Sequence, residues 1–223
     1  LPKIFKKPEE IDRPVIIKFH GARGGYGYFI ANSPAEFYER IRNYPGEKDC
    51  VIQEYIVGVP IYTHYFYSPL TKELEVMSFD KRYESNADSI GRIASKDQLD
   101  VNIRTSYTIT GNMPMVLRES MLPEVFEMGE KIVTESRKLI DTKTEKPIEK
   151  GLFGPFCLEA IVDPDLNFYV FEISARIVAG TNPYINGSPY TWFRYNEPMS
   201  TGRRIARDIK QAIEQNRLND VLG

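Results

Sequence analysis

Glu159 and Glu172 lie on two apolar stretches joined by Pro164-Asp165-Leu166-Asn167. If residues 156–163 and 168–174 are strands and 164–167 is the loop, Asp163 faces Phe168 and Glu159 falls opposite Glu172. Like charges directly across a strand pair repel. The alternate positions, Phe156, Leu158, Ala160 and Val162 against Tyr169, Phe171 and Ile173, form an apolar face that belongs on the core. The glutamate face also carries Ser174 and, if the strand continues, Arg176. A magnesium ion between the two carboxylates, with phosphate oxygens completing its shell, removes the conflict. Manganese suits the same donors. Without a cation, the pair is two solvated glutamates on an exposed sheet face.

A second group of residues suits phosphate. Lys18 interrupts the apolar run Pro14 to His20, and Gly21, Gly24, Gly25 and Gly27 follow it. Glycines let backbone N–H groups approach phosphate oxygens closely, and a strand lysine neutralises them. The lysine precedes the glycines, so this is not a Walker A loop. The loop leads into another strand, Tyr28 to Ala31, so it is not a dinucleotide fingerprint either. It reads as a glycine-rich hairpin that covers phosphates, or as a surface hairpin. Gln53-Glu54-Tyr55-Ile56 ends a strand at the Gly58-Val59-Pro60 break, where backbone groups and a carboxylate could meet an adenine edge. His64 alternates with aromatic residues and reads as a packed or edge histidine.

The elements that must position these groups read as α+β and mostly antiparallel. Ser33-Pro34-Ala35-Glu36 is a capping box with proline at the first helical position, opening a helix to about Tyr44. Strands are expected at Cys50–Ile56, 61–67 and 74–83, and near 105–110 with a stop at Gly111-Asn112. Residues 85–100 read as a loop. The longest helix is expected over Pro123–Ile140, followed by a solvated loop at 141–151. A last helix runs from about Arg203 to Arg217. These elements divide into a small lobe, 1–56, and a larger lobe, 57–223.

Composition narrows the class of function. The chain has 223 residues, 42% hydrophobic and 27% charged, with a formal net charge of -2. That balance gives no bulk attraction to nucleic acid or to an anionic membrane. No apolar run approaches the roughly 18–20 residues that cross a bilayer. Two cysteines and two histidines without metal-ligand spacing argue against zinc and suit a reducing cytosol. The chain opens on Leu1-Pro2-Lys3 rather than Met and enters a structured pattern at once, so we expect a preceding segment.

Taken in order, Lys18 with its glycines, Gln53 to Ile56, Glu159, Glu172 and Arg176 resemble the ATP-grasp family. The stretches VIIKFHGARGGYGYF, QEYIVGVPIYTHYFYSP, SFDKRYESNAD, TGNMPMVLRESMLP and GPFCLEAIVDPDLNFYVFEISARIVAGTNPY resemble one branch of it. That branch is the formate-dependent 5-formaminoimidazole-4-carboxamide ribonucleotide synthetases of archaeal purine biosynthesis. The resemblance implies an ATP-grasp fold, a preceding domain that helps form the substrate pocket, and ATP, magnesium, formate and an imidazole carboxamide ribonucleotide as ligands. By motif, it implies that Lys18 and the glycines hold phosphates, and that Gln53, Glu54, Tyr55 and Ile56 hold adenine. Glu84 would meet the nucleotide, Asn112, Thr181 and Asn182 the imidazole substrate, and Glu159 and Glu172 the metal. Arg176 would neutralise the transferred phosphoryl group. Many ATP-grasp members carry Asn where this chain has Ser174, so the resemblance implies one firmly held magnesium. Another carboxylate–amine ligase and a non-catalytic nucleotide-binding subunit stay open as readings, as does a homo-oligomer.

Overall fold

Alternation of apolar and polar residues produces two antiparallel sheets, each ordered around strands too hydrophobic to face water. The computed structural model describes residues 1–23, 26–44, 49–84, 92–98 and 109–222. The chain forms two compact units. The first comprises Leu1–Val59, Arg82–Gly111 and Ile161–Tyr169, and the second Pro60–Lys81, Asn112–Ala160 and Val170–Gly223.

The first unit holds a four-stranded sheet built from β1 (Ile4–Phe5), β2 (Val15–Arg23), β3 (Tyr26–Ala31) and β4 (Cys50–Glu54), in the order β1-β4-β2-β3. Val15, Ile17 and Phe19 alternate inward and pack with Phe5, Phe29, Phe37 and Ile52. The alternation sends Lys18 to the other face. The helix Pro34–Arg40 begins at the expected serine cap, with the Ser33 hydroxyl accepting from the Glu36 N–H at 3.2 Å. The capping box is half-formed, because the Glu36 carboxylate accepts from the Asn32 N–H at 2.8 Å instead of from Ser33. It tightens into a 3-10 turn over Ile41–Asn43.

The remaining strands are β5 (Val59–Ser68), β6 (Glu73–Glu84), β7 (Ile109–Met115), β8 (Gly154–Val162) and β9 (Phe168–Ser174). They form a sheet ordered β7-β6-β5-β8-β9. Strand β5 is central and almost wholly buried. A bulge follows His64, because β6 spends one extra residue between Ser78, opposite His64, and Val76, opposite Tyr65. Strand β7 runs past the stop expected at Gly111-Asn112 and contains Pro114, which an edge strand tolerates because one row of its N–H groups is unpaired.

Two helices cover this sheet within the second unit. The helix Leu122–Ser136 lies on the face of Tyr65, whose hydroxyl donates to Val125 O at 2.7 Å and whose ring stacks on Phe156 at 4.9 Å. It ends before the expected Ile140. Arg137 N–H bonds back to Thr134 O, and the Ser136 hydroxyl turns to Val133 O.

The helix Thr201–Glu214 starts earlier than expected because Ser200 caps it, accepting from Arg203 N–H at 3.3 Å. Its buried face is polar: Thr201, Arg204 and Asp208 point inward with Ala212. Arg204 meets Glu75 at 2.8 Å and Asp208 at 3.0 Å, lies over the Phe66 ring, and shares Glu75 with the Tyr195 hydroxyl. Ser68 donates to Asp208 at 2.7 Å.

Removing one partner of a buried ion pair strands the other charge. Arg204→Met should therefore lower unfolding stability by about 3–5 kcal/mol, read as a drop in the urea midpoint. A loss below about 1 kcal/mol would show that water reaches Glu75 and Asp208.

Candidate active-site face of the second sheet

Strand alternation and four contacts place the chemistry-bearing residues of the second unit on one face of its sheet. Ser174 Oγ lies 3.2 Å from Glu159 Oε1, so these two share a face. Glu172 joins them, two residues earlier on the same strand. Cys157, two residues before Glu159, packs with Tyr62 and Val178. Tyr62 stands opposite Asp80, and His64 is its diagonal neighbour, with Nε2 2.6 Å from Asp80 Oδ1. Asn112 Nδ2 donates to Asp80 Oδ2 at 2.6 Å. The face therefore reads, from one edge to the other, Glu172 and Ser174, Glu159, His64, Asp80, Asn112.

Glu159 is buried and Glu172 exposed. Among the described residues, no three His, Cys, Asp or Glu side chains converge as a metal cage. Magnesium does not need one, since it is usually held by one or two carboxylates, with waters and substrate phosphates. A buried carboxylate oxygen beside a hydroxyl, with a second carboxylate on the same face, fits that donor set.

The turn joining β8 to β9 is tighter than the four-residue loop expected from sequence. Leu166 N–H bonds to Asp163 O and Asp163 N–H to Asn167 O, with Leu166 at φ +68°. Asp163 thus faces Asn167 and not Phe168. The Asp163 carboxylate accepts from the backbone N–H groups of Asp165 and Asn167, each at 2.9 Å, and these bonds favour the tight form. Asn167 holds the Asp163 carboxyl below its ordinary value.

Strand β9 ends at Ser174, so Arg176 does not continue it. The guanidinium of Arg176 is exposed and donates to Ile177 O at 3.1 Å. Residues Ala179–Tyr184 form a 3-10 turn fastened by Tyr184, whose hydroxyl donates to Phe79 O at 2.6 Å and accepts from Met115 N–H at 2.9 Å. Thr181 Oγ1 donates to Val178 O at 2.9 Å.

In the first unit, Lys18 Nζ donates to Gln53 Oε1 at 3.0 Å. Gln53 stands opposite Ile16 on the same face, diagonal to Lys18. Gly21 and Gly27 have φ of +81° and +79°, values that a side chain resists, at the irregular part of the β2–β3 pairing. Gly24 and Gly25 lie outside the described residues, as do residues 85–91 and the side chains of Glu84 and Asn182. Glu54 Oε1 accepts from Arg13 Nη1 at 2.9 Å and Oε2 from Lys3 N–H at 3.1 Å. Tyr55 N–H bonds to Pro14 O, and Ile56 follows half-buried.

Sequence reasoning did not single out Asp80. The signal was present: one acid closing the mostly apolar stretch Val76-Met77-Ser78-Phe79 on a strand. His64 is packed, as the alternation suggested, but its ring nitrogen is committed to that acid.

The chain has the ATP-grasp fold. It belongs to the family described as Domain of unknown function (DUF1297), whose model matches residues 39–223. It is 57% identical over 229 residues to a Pyrococcus abyssi protein named 5-formaminoimidazole-4-carboxamide-1-(beta)-D-ribofuranosyl 5'-monophosphate synthetase, covering 100% of this chain and 65% of that one. The Pyrococcus horikoshii protein of the same name is 58% identical over 228 residues, with 100% and 66% covered. The chain thus spans about two thirds of the length of these relatives. Among solved structures, the IMP biosynthesis protein PurP from Thermococcus kodakaraensis matches with a TM-score of 0.67 and 26% identity, over 98% of this chain and 61% of that one.

Burial alone pushes the Glu54 carboxyl up, but Arg13 and Lys3 more than reverse this and leave it below its ordinary value. A carboxyl lowered in the folded state stabilises the fold above its unfolded value of about 4.3. That contribution is lost as pH falls through the lower, folded value. In Arg13→Gln, the Glu54 carboxyl should titrate at higher pH by NMR. An unmoved titration would assign the effect to the Lys3 N–H.

Proposed function

We propose that this chain is the ATP-grasp part of a ligase that formylates 5-aminoimidazole-4-carboxamide ribonucleotide with formate, at the expense of ATP, in purine biosynthesis. The observation that carries this reading is the single sheet face that bears both carboxylates and Asn112. The names of the relatives, at 57% and 58% identity across the whole chain, support the choice of substrates. The working compartment is the cytosol; among the described residues no helix is long and apolar enough to cross a membrane.

Formate is unreactive toward a weak aromatic amine. Transfer of the γ-phosphoryl group of ATP to a formate oxygen gives formyl phosphate and ADP. The amine nitrogen then attacks the formyl carbon, the carbon–oxygen bond to phosphate breaks, and the nitrogen loses a proton. Such chemistry asks a protein for positioning and charge neutralisation rather than for a nucleophile of its own. Magnesium held by Glu159 and Glu172 would neutralise phosphate charge. Lys18 and the glycine hairpin bind phosphate oxygens, and Gln53 keeps the Lys18 ammonium in place. With the Glu54 carboxylate engaged by Arg13, the adenine edge falls to the backbone of Glu54, Tyr55 and Ile56, and Glu84 meets the nucleotide. Arg176, exposed at the surface, neutralises the transferred group, a contribution on the order of 10³-fold in related phosphoryl transfers. Asn112, Thr181 and Asn182 meet the imidazole nucleotide. Closure of the hairpin keeps water from the acyl phosphate.

The test is ADP release by the full-length protein, with formate and the imidazole nucleotide supplied together and separately. Turnover should require both, and turnover indifferent to formate would refute the assignment. Glu172→Gln should move the magnesium dependence of ATP binding to concentrations at least about tenfold higher. An unchanged magnesium titration would remove Glu172 from the metal site.

A further inference from the structure

Asp80 has no exposed surface at all. It lies on β6, between β5 and β7, and its two oxygens face His64 Nε2 and Asn112 Nδ2, both at 2.6 Å. The backbone of a third element closes over it: a Cβ on Gly180 would overlap Asp80 Oδ1 and Cγ. Burying a carboxylate costs several kcal/mol before its contacts repay anything, and well-packed apolar residues often do as well for stability. An acid kept here therefore invites a role beyond packing.

We propose that Asp80 is a positioning residue that orients the Asn112 amide with its oxygen toward the ligand, so that this subsite selects a group bearing N–H over one that only accepts. The proposal rests on the reading that Asn112 meets the imidazole nucleotide. A carboxylate accepts and cannot donate. Only the NH₂ end of Asn112 can face Asp80, because the flipped amide would set oxygen against oxygen. With one N–H held by Asp80 and the amide so oriented, Asn112 turns its Oδ1, an acceptor, away from the carboxylate. Asn112 is half-buried on an edge strand, at the margin between the buried Asp80 and solvent. The turn after β9 passes so close to Asp80 that only glycine fits at position 180.

The ligand chemistry that answers an acceptor is a carboxamide or an aromatic amine. The discriminating probe is a pair of ribonucleotides with the same imidazole, amine and phosphate, one bearing the 4-carboxamide and one a 4-carboxylate. A site built to hydrogen-bond a donor rejects the analogue that lacks it, because the buried acceptor is left unpaired. Binding of both is measured by calorimetry on the full-length protein, with ATP affinity as the control for an intact fold. The wild type should favour the carboxamide by tenfold or more. In Asp80→Asn, residue 112 faces an amide, can turn its own NH₂ to the ligand, and the preference should fall at least tenfold.

A folded Asp80→Asn protein with an unchanged preference overturns the proposal. Should that variant not fold, Asn112→Ala on the edge strand decides: it should lose the preference, and retention overturns the proposal. If wild-type protein binds ATP but neither nucleotide, the functional reading fails and this one falls with it. If the carboxamide binds and the variants keep the preference, this proposal alone fails.

Discussion

A carboxylate taken out of water must be met by donors, and the second unit takes three of them out on one sheet. Glu75, Asp80 and Glu159 are all nearly or wholly buried. Glu75 is met by the Arg204 guanidinium, Asp80 by an imidazole and an amide, and Glu159 by the Ser174 hydroxyl. Each donor in turn fixes an element. Arg204 draws the helix Thr201–Glu214 onto the sheet by a polar face. Asp80 ties β5 to β7 and admits only glycine where the turn after β9 crosses it. Burial costs of this kind are recovered only when the geometry is good, so these three residues hold their surroundings to narrow tolerances.

The sequence patterns that depend on a single period were legible. Alternation gave most of the strands, and the serine-proline start gave the helix after Ala31. Glu159 and Glu172 were paired by counting outward from a loop. The loop is tighter than counted, and pairing continued outward from Asp163 and Asn167 would set Glu159 opposite Phe171. The shared face therefore rests on the Ser174–Glu159 contact and on Glu172 lying two residues from Ser174, not on the count. What a period cannot carry was not legible. The last helix buries Arg204 and Asp208, so the residues that would mark its solvent side mark its packed side. Its true start rests on a serine cap, and the helix Pro189–Tyr195 rests on another at Ser188. Pro114 reads as a strand breaker until the neighbours of its strand are known. Asp80 draws its meaning from residues 16 positions before it and 32 after it, and no local window joins those.

The family description leaves the function of this chain open, while the names of its relatives are specific. The gap is narrowed by physical arrangement rather than by motif. A lysine before a glycine hairpin, a glutamine at a strand end and a pair of acids are each common. Lys18 bonded to Gln53 across a strand pair, and two acids sharing a sheet face with an oriented amide, are much less so. On the proposed reading, the first pairing would hold a cation for phosphate, and the second would supply hard-metal donors and an acceptor.

Pro114 has a consequence for assembly. Among the described strands, β7 is the outer edge of its sheet, and an exposed edge invites a strand from another molecule. An incoming chain would meet a pyrrolidine ring where it needs an N–H, one residue from the end of the strand. Growth of the sheet on that side is discouraged by one residue, so copies of this protein that associate would do so through side chains rather than through a shared backbone ladder at β7.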